Sequence, residues 1–147
     1  MTEEEAQLPD ELFFQMPAEH VMDVWSLIRP GIMSGVDRSR GRMTEHSIAR
    51  NIISGKWQLW TYWKNQKYRA LAITQIIICD SGIKALEGII CTGEDKELWE
   101  KYIPETLTAF AKAEGCKIFE MWARPGWEKA LAPIGFKKTH VLLEKEI

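Results

Sequence analysis

The sequence predicts an α+β fold: a mixed, mostly antiparallel sheet with helices on both faces, in the order α-α-β-β-β-α-β-α-β. Three observations predict it. Apolar residues recur at helical spacing in the first third of the chain and again around residues 98–111. Between these stretches, from Trp57 to Cys91, the period switches to two over three runs joined by tight turns. A helix then separates the third run from the fourth, a connection that is right-handed and leaves its two strands parallel.

The first periodic segment is Ala18 to Met33, with Val21, Val24, Trp25 and Ile28 on one helical face and Leu27 and Ile32 extending it. Pro30-Gly31 is expected to bend or end that helix. The Gly- and Arg-rich stretch from Ser34 to Arg42 reads as a mobile loop. Its arginines, Arg38, Arg40 and Arg42, form the one compact basic cluster in the chain. A solvated loop is the expectation for it, and an anion clamp is the alternative. Thr44 then Glu45 opens a second helix with Thr44 as N-cap, Ile48, Ile52 and Ile53 as its inner stripe, and Gly55 just past its end.

From Trp57 to Trp63 the residues are aromatic and alternating, hence a strand. Asn65-Gln66 supplies the turn. Tyr68 to Cys79 is the next strand, Asp80-Ser81-Gly82 the next turn, and Lys84 to Cys91 a third strand. Short turns make these an antiparallel meander. Leu98, Trp99, Tyr102, Ile103, Leu107, Phe110 and Ala111 continue at helical spacing towards Gly115, interrupted by Pro104. Either a kink lies there or Pro104 begins the main helix. Lys117–Ala123 alternates as a strand, Trp127–Ile134 is a short helix ended by Gly135, and Phe136–Glu146 is a terminal strand.

The chain has 147 residues, the size of one domain, with no internal repeat or linker. Residues 1–17 are expected to be an N-terminal arm and 18–147 a single domain. The formal net charge of −2 argues against nucleic-acid and anionic-membrane binding, which favour a strongly basic face. Seven tryptophans predict an aromatic core before a binding surface. Cys79, Cys91 and Cys116 are widely spaced with no CxxC pair, which predicts free thiols in a reducing compartment. The acidic start carries no secretory h-region, and no run is long enough to span a bilayer, so a cytoplasmic location is expected. His20, His46 and His140 form no metal-ligand pattern.

That order of elements, with the ending Glu128–Phe136 (EKALAPIGF) followed by Lys137–Glu146, resembles the GNAT superfamily of N-acetyltransferases over roughly residues 18–147. The pattern Cys91-Thr92-Gly93, Trp99, Ala111–Cys116 and Gly126-Trp127 is similar to a subgroup, the small GNAT-like proteins of phages and prophages, including internal virion proteins of short-tailed phages. The resemblance implies phage or host proteins as partners, allows a homo-oligomer, and extends the location to the virion.

In working GNAT enzymes a Q/R-x-x-G-x-G/A loop points backbone N–H groups at the acyl-CoA pyrophosphate. Here the corresponding stretch, Cys91 to Lys96, has one glycine and places Glu94 and Asp95 where phosphates would stand. Those carboxylates cap the following helix and repel an anion. The alternative is that Thr92, Gly93 and nearby N–H groups still hold CoA, with Lys96 offsetting the acids. The resemblance places cofactor contacts at Cys91, Thr92, Gly93, Lys96, Gly126 and Trp127, although core contact is the expectation for Trp127 itself. The tyrosine that often protonates the leaving thiolate is replaced by Leu131, which cannot donate a proton. Glu87 matches the strand glutamate that serves as general base, either on the apolar side of its strand or facing solvent.

Two functions follow. In the first, the protein keeps the fold without efficient acetyl transfer, needs no cofactor, and works through protein contacts in the virion or its assembly. In the second, it is an acyl-CoA-dependent N-acetyltransferase for an unknown amine, with acetyl-CoA in the gap between the third and fourth strands and Glu87 as base. That gap is expected to be narrowed by Trp99 and Trp122.

Overall fold

A computed structural model describes residues 9–94 and 102–147. Five strands form one sheet: β1 Glu11–Gln15, β2 Trp57–Lys64, β3 Lys67–Ile78, β4 Lys84–Gly93 and β5 Ile118–Met121. The helices are α1 Val21–Arg38, α2 Glu45–Ile53, α3 Tyr102–Ala113 and α4 Pro125–Leu131. The strands lie in the order β1-β2-β3-β4-β5. All neighbours are antiparallel except β4 and β5, which are parallel. The mixed α+β architecture and the meander of β2, β3 and β4 are those the alternating runs predict.

Alternation along the strands divides the core into two layers. On one face Leu59, Leu71, Ile73 and Ile90 meet Val21, Trp25, Ile28 and Ile32 of α1 and Ile48 and Ile52 of α2. On the other, Trp60, Tyr62, Ala70, Ala72 and Leu86 meet Ile103, Leu107 and Ala111 of α3. We call these the α1 face and the α3 face.

α2 begins in a capping box: Ser47 N–H donates to Thr44 Oγ1, and Thr44 N–H to Ser47 Oγ. Its first residue, Glu45, accepts from Trp25 Nε1 at 2.8 Å and from Arg29 Nε at 2.9 Å, which ties α2 to α1. Those bonds, Arg29's first and Trp25's second, hold the Glu45 carboxyl below its ordinary value.

Three expectations need correction. The arm of residues 1–17 contains a strand, since Glu11–Gln15 pairs with Trp60–Lys64 at the sheet edge. Phe13 stacks on Trp60, and the Tyr62 hydroxyl donates to Glu11 at 3.0 Å. This strand's partner lies some fifty residues away in sequence, and a five-residue run carries little signal without it. Second, Pro30-Gly31 does not end α1, which continues to Arg38. A proline in a helix interior costs about 3 kcal/mol. Ile28, Ile32 and Gly35, on both sides of it, are all buried, and that burial outweighs the cost. α1 also lies very close to the sheet, because a Cβ on Gly35 would stand 2.5 Å from Ile90 Cδ1. Third, Phe136–Glu146 is not a strand, because no backbone partner pairs with it among the described residues.

Candidate functional site

β4 is irregular at one point. Ile73 pairs with Ile90 and Thr74 with Gly88, which leaves Ile89 as an extra residue, a β-bulge. Glu87 and Thr92 are five positions apart and would face opposite sides of a regular strand. With the bulge, both face α1: Glu87 pairs with Gln75, and Thr92 pairs with Leu71.

The bulge coincides with the end of β5. Parallel pairing runs from Ala85–Ile118 to Gly88–Met121 and stops. Trp122 N–H reaches Gly88 O only at 3.5 Å. Beyond this point β4 keeps β3 on one side and, among the described residues, has no strand on the other. Bulges bend the strand that carries them, and here β4 and β5 part. Trp122 does not plug the gap, since it is 65% exposed. Trp99, the other residue expected there, lies outside the described residues, as do Asp95 and Lys96.

Glu87 is half-buried on the sheet just before the gap. Gln75 Nε2 donates to Glu87 Oε1 at 2.7 Å, and Trp57 Nε1 donates to Gln75 Oε1 at 3.0 Å. A row across three strands therefore fixes the carboxylate. Glu120 on β5 is its register partner. Sequence reasoning missed Gln75 and Trp57: the β3–β4 turn places Gln75 opposite Glu87, but Trp57 reaches Gln75 only through a register shift between β2 and β3 at Tyr62/Trp63.

Thr92 and Gly93 line a cleft of about 410 Å³ between α1 and the ends of β3 and β4, with Pro30, Gly31, Ser34, Tyr68 and Glu94. Gly93 is required by the sheet, because a Cβ there would come within 2.5 Å of the Arg69 carbonyl oxygen. Glu94 N–H donates to that same oxygen at 2.8 Å. It caps a strand pair, and its N–H is not aimed at an anion. Burial pushes the Tyr68 phenol up, and the Glu94 carboxylate adds to this. Cys91 points the other way and packs against the α3 layer. Gly126 is exposed in the first turn of α4, with nothing within 4 Å of an added Cβ. Trp127 is half-buried against the α3 layer. Leu131 is 3% exposed, an apolar core residue with no proton to give.

The arginines of residues 38–42 divide into a pair and a single residue. Arg40 and Arg42 pair with Glu144 at 2.6 and 2.8 Å. Those bonds hold the Glu144 carboxyl down to about 2. Arg38 lies apart, in the last turn of α1, and donates to Ser34 Oγ at 2.7 Å. Partial burial lowers its pKa, and nearby Arg124, at the start of α4, lowers it further. Positive charge therefore gathers beside the gap. Among the described residues, no three His, Cys, Asp or Glu side chains gather to hold a metal ion, and no helix is long and apolar enough to cross a membrane.

No family model and no curated protein matches the sequence. Solved structures do match in shape. An aminoglycoside acetyltransferase from an uncultured soil metagenomic sample superposes with a TM-score of 0.72 at 10% identity, covering 95% of this chain and 99% of that one. A predicted acetyltransferase from Clostridium acetobutylicum, solved with acetyl-CoA, gives 0.66 at 12% identity over 92% and 96%. A GNAT family acetyltransferase from Staphylococcus aureus gives 0.66 at 10% over 95% and 100%. At such identities the likeness is one of fold, and the fold of this chain is that of the GNAT-family acetyltransferases.

Proposed function

We propose that the protein is an acyl-CoA-dependent N-acetyltransferase acting on an amine. One observation carries this reading: β4 and β5 part at the Ile89 bulge, and beyond Gly88 no described strand pairs with β4 on the β5 side. The pantetheine arm of acyl-CoA is an extended chain with amides, and it fits such an edge as a short added strand. Bound there, acetyl-CoA supplies the activated thioester. Glu87, aimed by Gln75 and on the same face as Thr92, takes the proton from the acceptor ammonium. Arg38 and Arg124 offset phosphate charge in place of the glycine-rich loop that Cys91–Lys96 lacks. Leu131 gives no proton, so the leaving thiolate takes one from water or from the acylated amine.

A second reading has its own support. The Glu94 N–H is committed to Arg69 and Leu131 is buried, so two groups that would serve transfer are absent. On that reading the protein is a phage or prophage type that keeps the fold, has lost transfer, and acts through protein contacts in the virion.

A thermal-shift titration with CoA separates the two. A ligand at 100 times its dissociation constant stabilises by about 2.7 kcal/mol, a readily measured shift. Thiol release from acetyl-CoA over a panel of amines then reads turnover. No shift and no thiol release would leave the second reading.

A further inference from the structure

Arg40 and Arg42 converge on one carboxylate. Arg40 donates from Nε and Nη2 to Glu144 Oε1, at 2.9 and 2.6 Å, and Arg42 Nη2 lies 2.8 Å from Oε2. Each oxygen is therefore taken by its own guanidinium, which is how two arginines receive a small oxyanion. Glu144 reaches them from the C-terminal tail, the residues after α4, across 104 positions of sequence. Neither Arg40 nor Arg42 has a part in the acetyl transfer proposed above.

The loop that carries the two arginines is shaped without Glu144. Ser39 Oγ donates to Val36 O at 2.7 Å and accepts from Met43 N–H at 3.1 Å, so it spans the loop. Arg42 donates to Ser39 O through both its backbone N–H and its Nη1, each at 3.3 Å. Arg40 and Gly41 have φ of 56° and 83°, a left-handed pair that turns the chain between the two arginines. A receptor already in place loses little freedom when it binds.

Its occupant is held loosely. The Arg40 side chain is 71% exposed and that of Arg42 49%, and ion pairs within reach of water contribute little. Beside them lies a cavity of about 630 Å³, lined by Asp37, Arg40–Arg42 and Glu144–Glu146. That is room for a small organic molecule. Asp37 and Glu146 bring negative charge to it, and Lys145 offsets part of that charge.

We infer that Arg40 and Arg42 bind the phosphate group of a small phosphate monoester, and that Glu144 is a built-in competitor occupying the clamp until that ligand displaces it. The chemistry selects phosphate. A free carboxylate brings the same charge and the same two oxygens as Glu144 but lacks the tether, so it loses the competition. A phosphate monoester carries close to two charges at neutral pH and three acceptor oxygens, so the same donors hold it more strongly. The Glu144 side chain then turns out to solvent.

Isothermal titration of the full chain with phenyl phosphate at neutral pH tests this. Phenyl phosphate should bind, and acetate at equal concentration should not compete. Glu144→Gln removes the competitor and keeps the clamp, so it should tighten phenyl phosphate binding by about threefold or more. Arg42→Gln keeps the competitor and removes half the clamp, so it should weaken binding by about tenfold or more. Both substitutions break the same ion pair, so a merely structural pair would move binding alike in both, or in neither. Carbon-detected NMR of wild type should show the Glu144 carboxyl leaving its paired state as phenyl phosphate is added. No binding, equal competition by acetate, or a Glu144→Gln variant that binds no more tightly than wild type would each overturn the proposal. A phosphoserine peptide that binds far more tightly than phenyl phosphate would overturn the small ligand in favour of a protein.

Discussion

Gln75 donates a 2.7 Å hydrogen bond to Glu87 from the directly opposed position on the neighbouring strand. The bond fixes where the carboxylate points, and a base must hold its geometry before its basicity matters. On the proposed reading, Glu87→Gln keeps the shape and removes the base. It should lower kcat/KM by about 10²- to 10⁴-fold. Gln75→Ala should cost less, about tenfold, because the carboxylate stays but loses its guide. Steady-state kinetics on an amine that turns over measures both, and an unchanged rate for Glu87→Gln removes it from the chemistry.

Gly35 lets α1 lie against Ile90 with no room for a side chain. Gly35→Leu should destabilise by about 1–3 kcal/mol, the usual cost of overpacking. Adding Ile90→Ala opens the space from the other side. In urea titrations the double variant should be more stable than the sum of the two single losses predicts. Simple additivity would mean the two positions do not meet.

Thr44 closes the capping box at the start of α2. Thr44→Ala removes the acceptor for Ser47 N–H and should cost about 1 kcal/mol in thermal or chemical unfolding. Thr44→Ser should recover most of it, since the hydroxyl is what caps.

Glu144 titrates at about 2, down from an ordinary value of 4.5, because Arg40 and Arg42 hold its charged form. A depressed carboxylate stabilises the folded state above its ordinary value and loses that contribution as pH falls. The tail should therefore stay docked at pH 5 and above and come free as pH drops from about 4.5 towards 2. Carbon-detected NMR of the Glu144 carboxyl would read this directly. Glu144→Gln should show at neutral pH the faster tail proteolysis that wild type shows only in acid.

Much of the fold was legible because its signals are local. The alternation from Trp57 to Cys91 and the Asn65-Gln66 turn locate three strands without any knowledge of their neighbours. The stripe through Val21, Trp25 and Ile28 locates a helix in the same way. What was not legible depends on distant partners. Glu11–Gln15 becomes a strand only because β2 offers an edge, and Phe136–Glu146 has no paired strand among the described residues. Pro30 reads as a helix breaker until the sheet beneath α1 is known. At the site, Glu87 was identifiable as an acid on an apolar strand, but the amide that aims it needs the register of three strands. The bulge left one mark in the sequence that went unread: Gly88, an isolated glycine inside a strand pattern, stands directly before the extra residue Ile89.

Removing Ile89 would bring Glu87 and Thr92 from five positions apart to four, the spacing that keeps both on one face of a regular strand. With it removed, Glu87 and Gly88 would still alternate correctly into Ile90 and Thr92, at the loss of one half-buried side chain. What the extra residue sets is the direction of the strand. A chain shorter by that residue would lose one side chain packed against the α1 layer and leave the fourth and fifth strands able to run on together. The opening is thus separable from the core, and a single in-frame codon is enough for a lineage to gain or lose it.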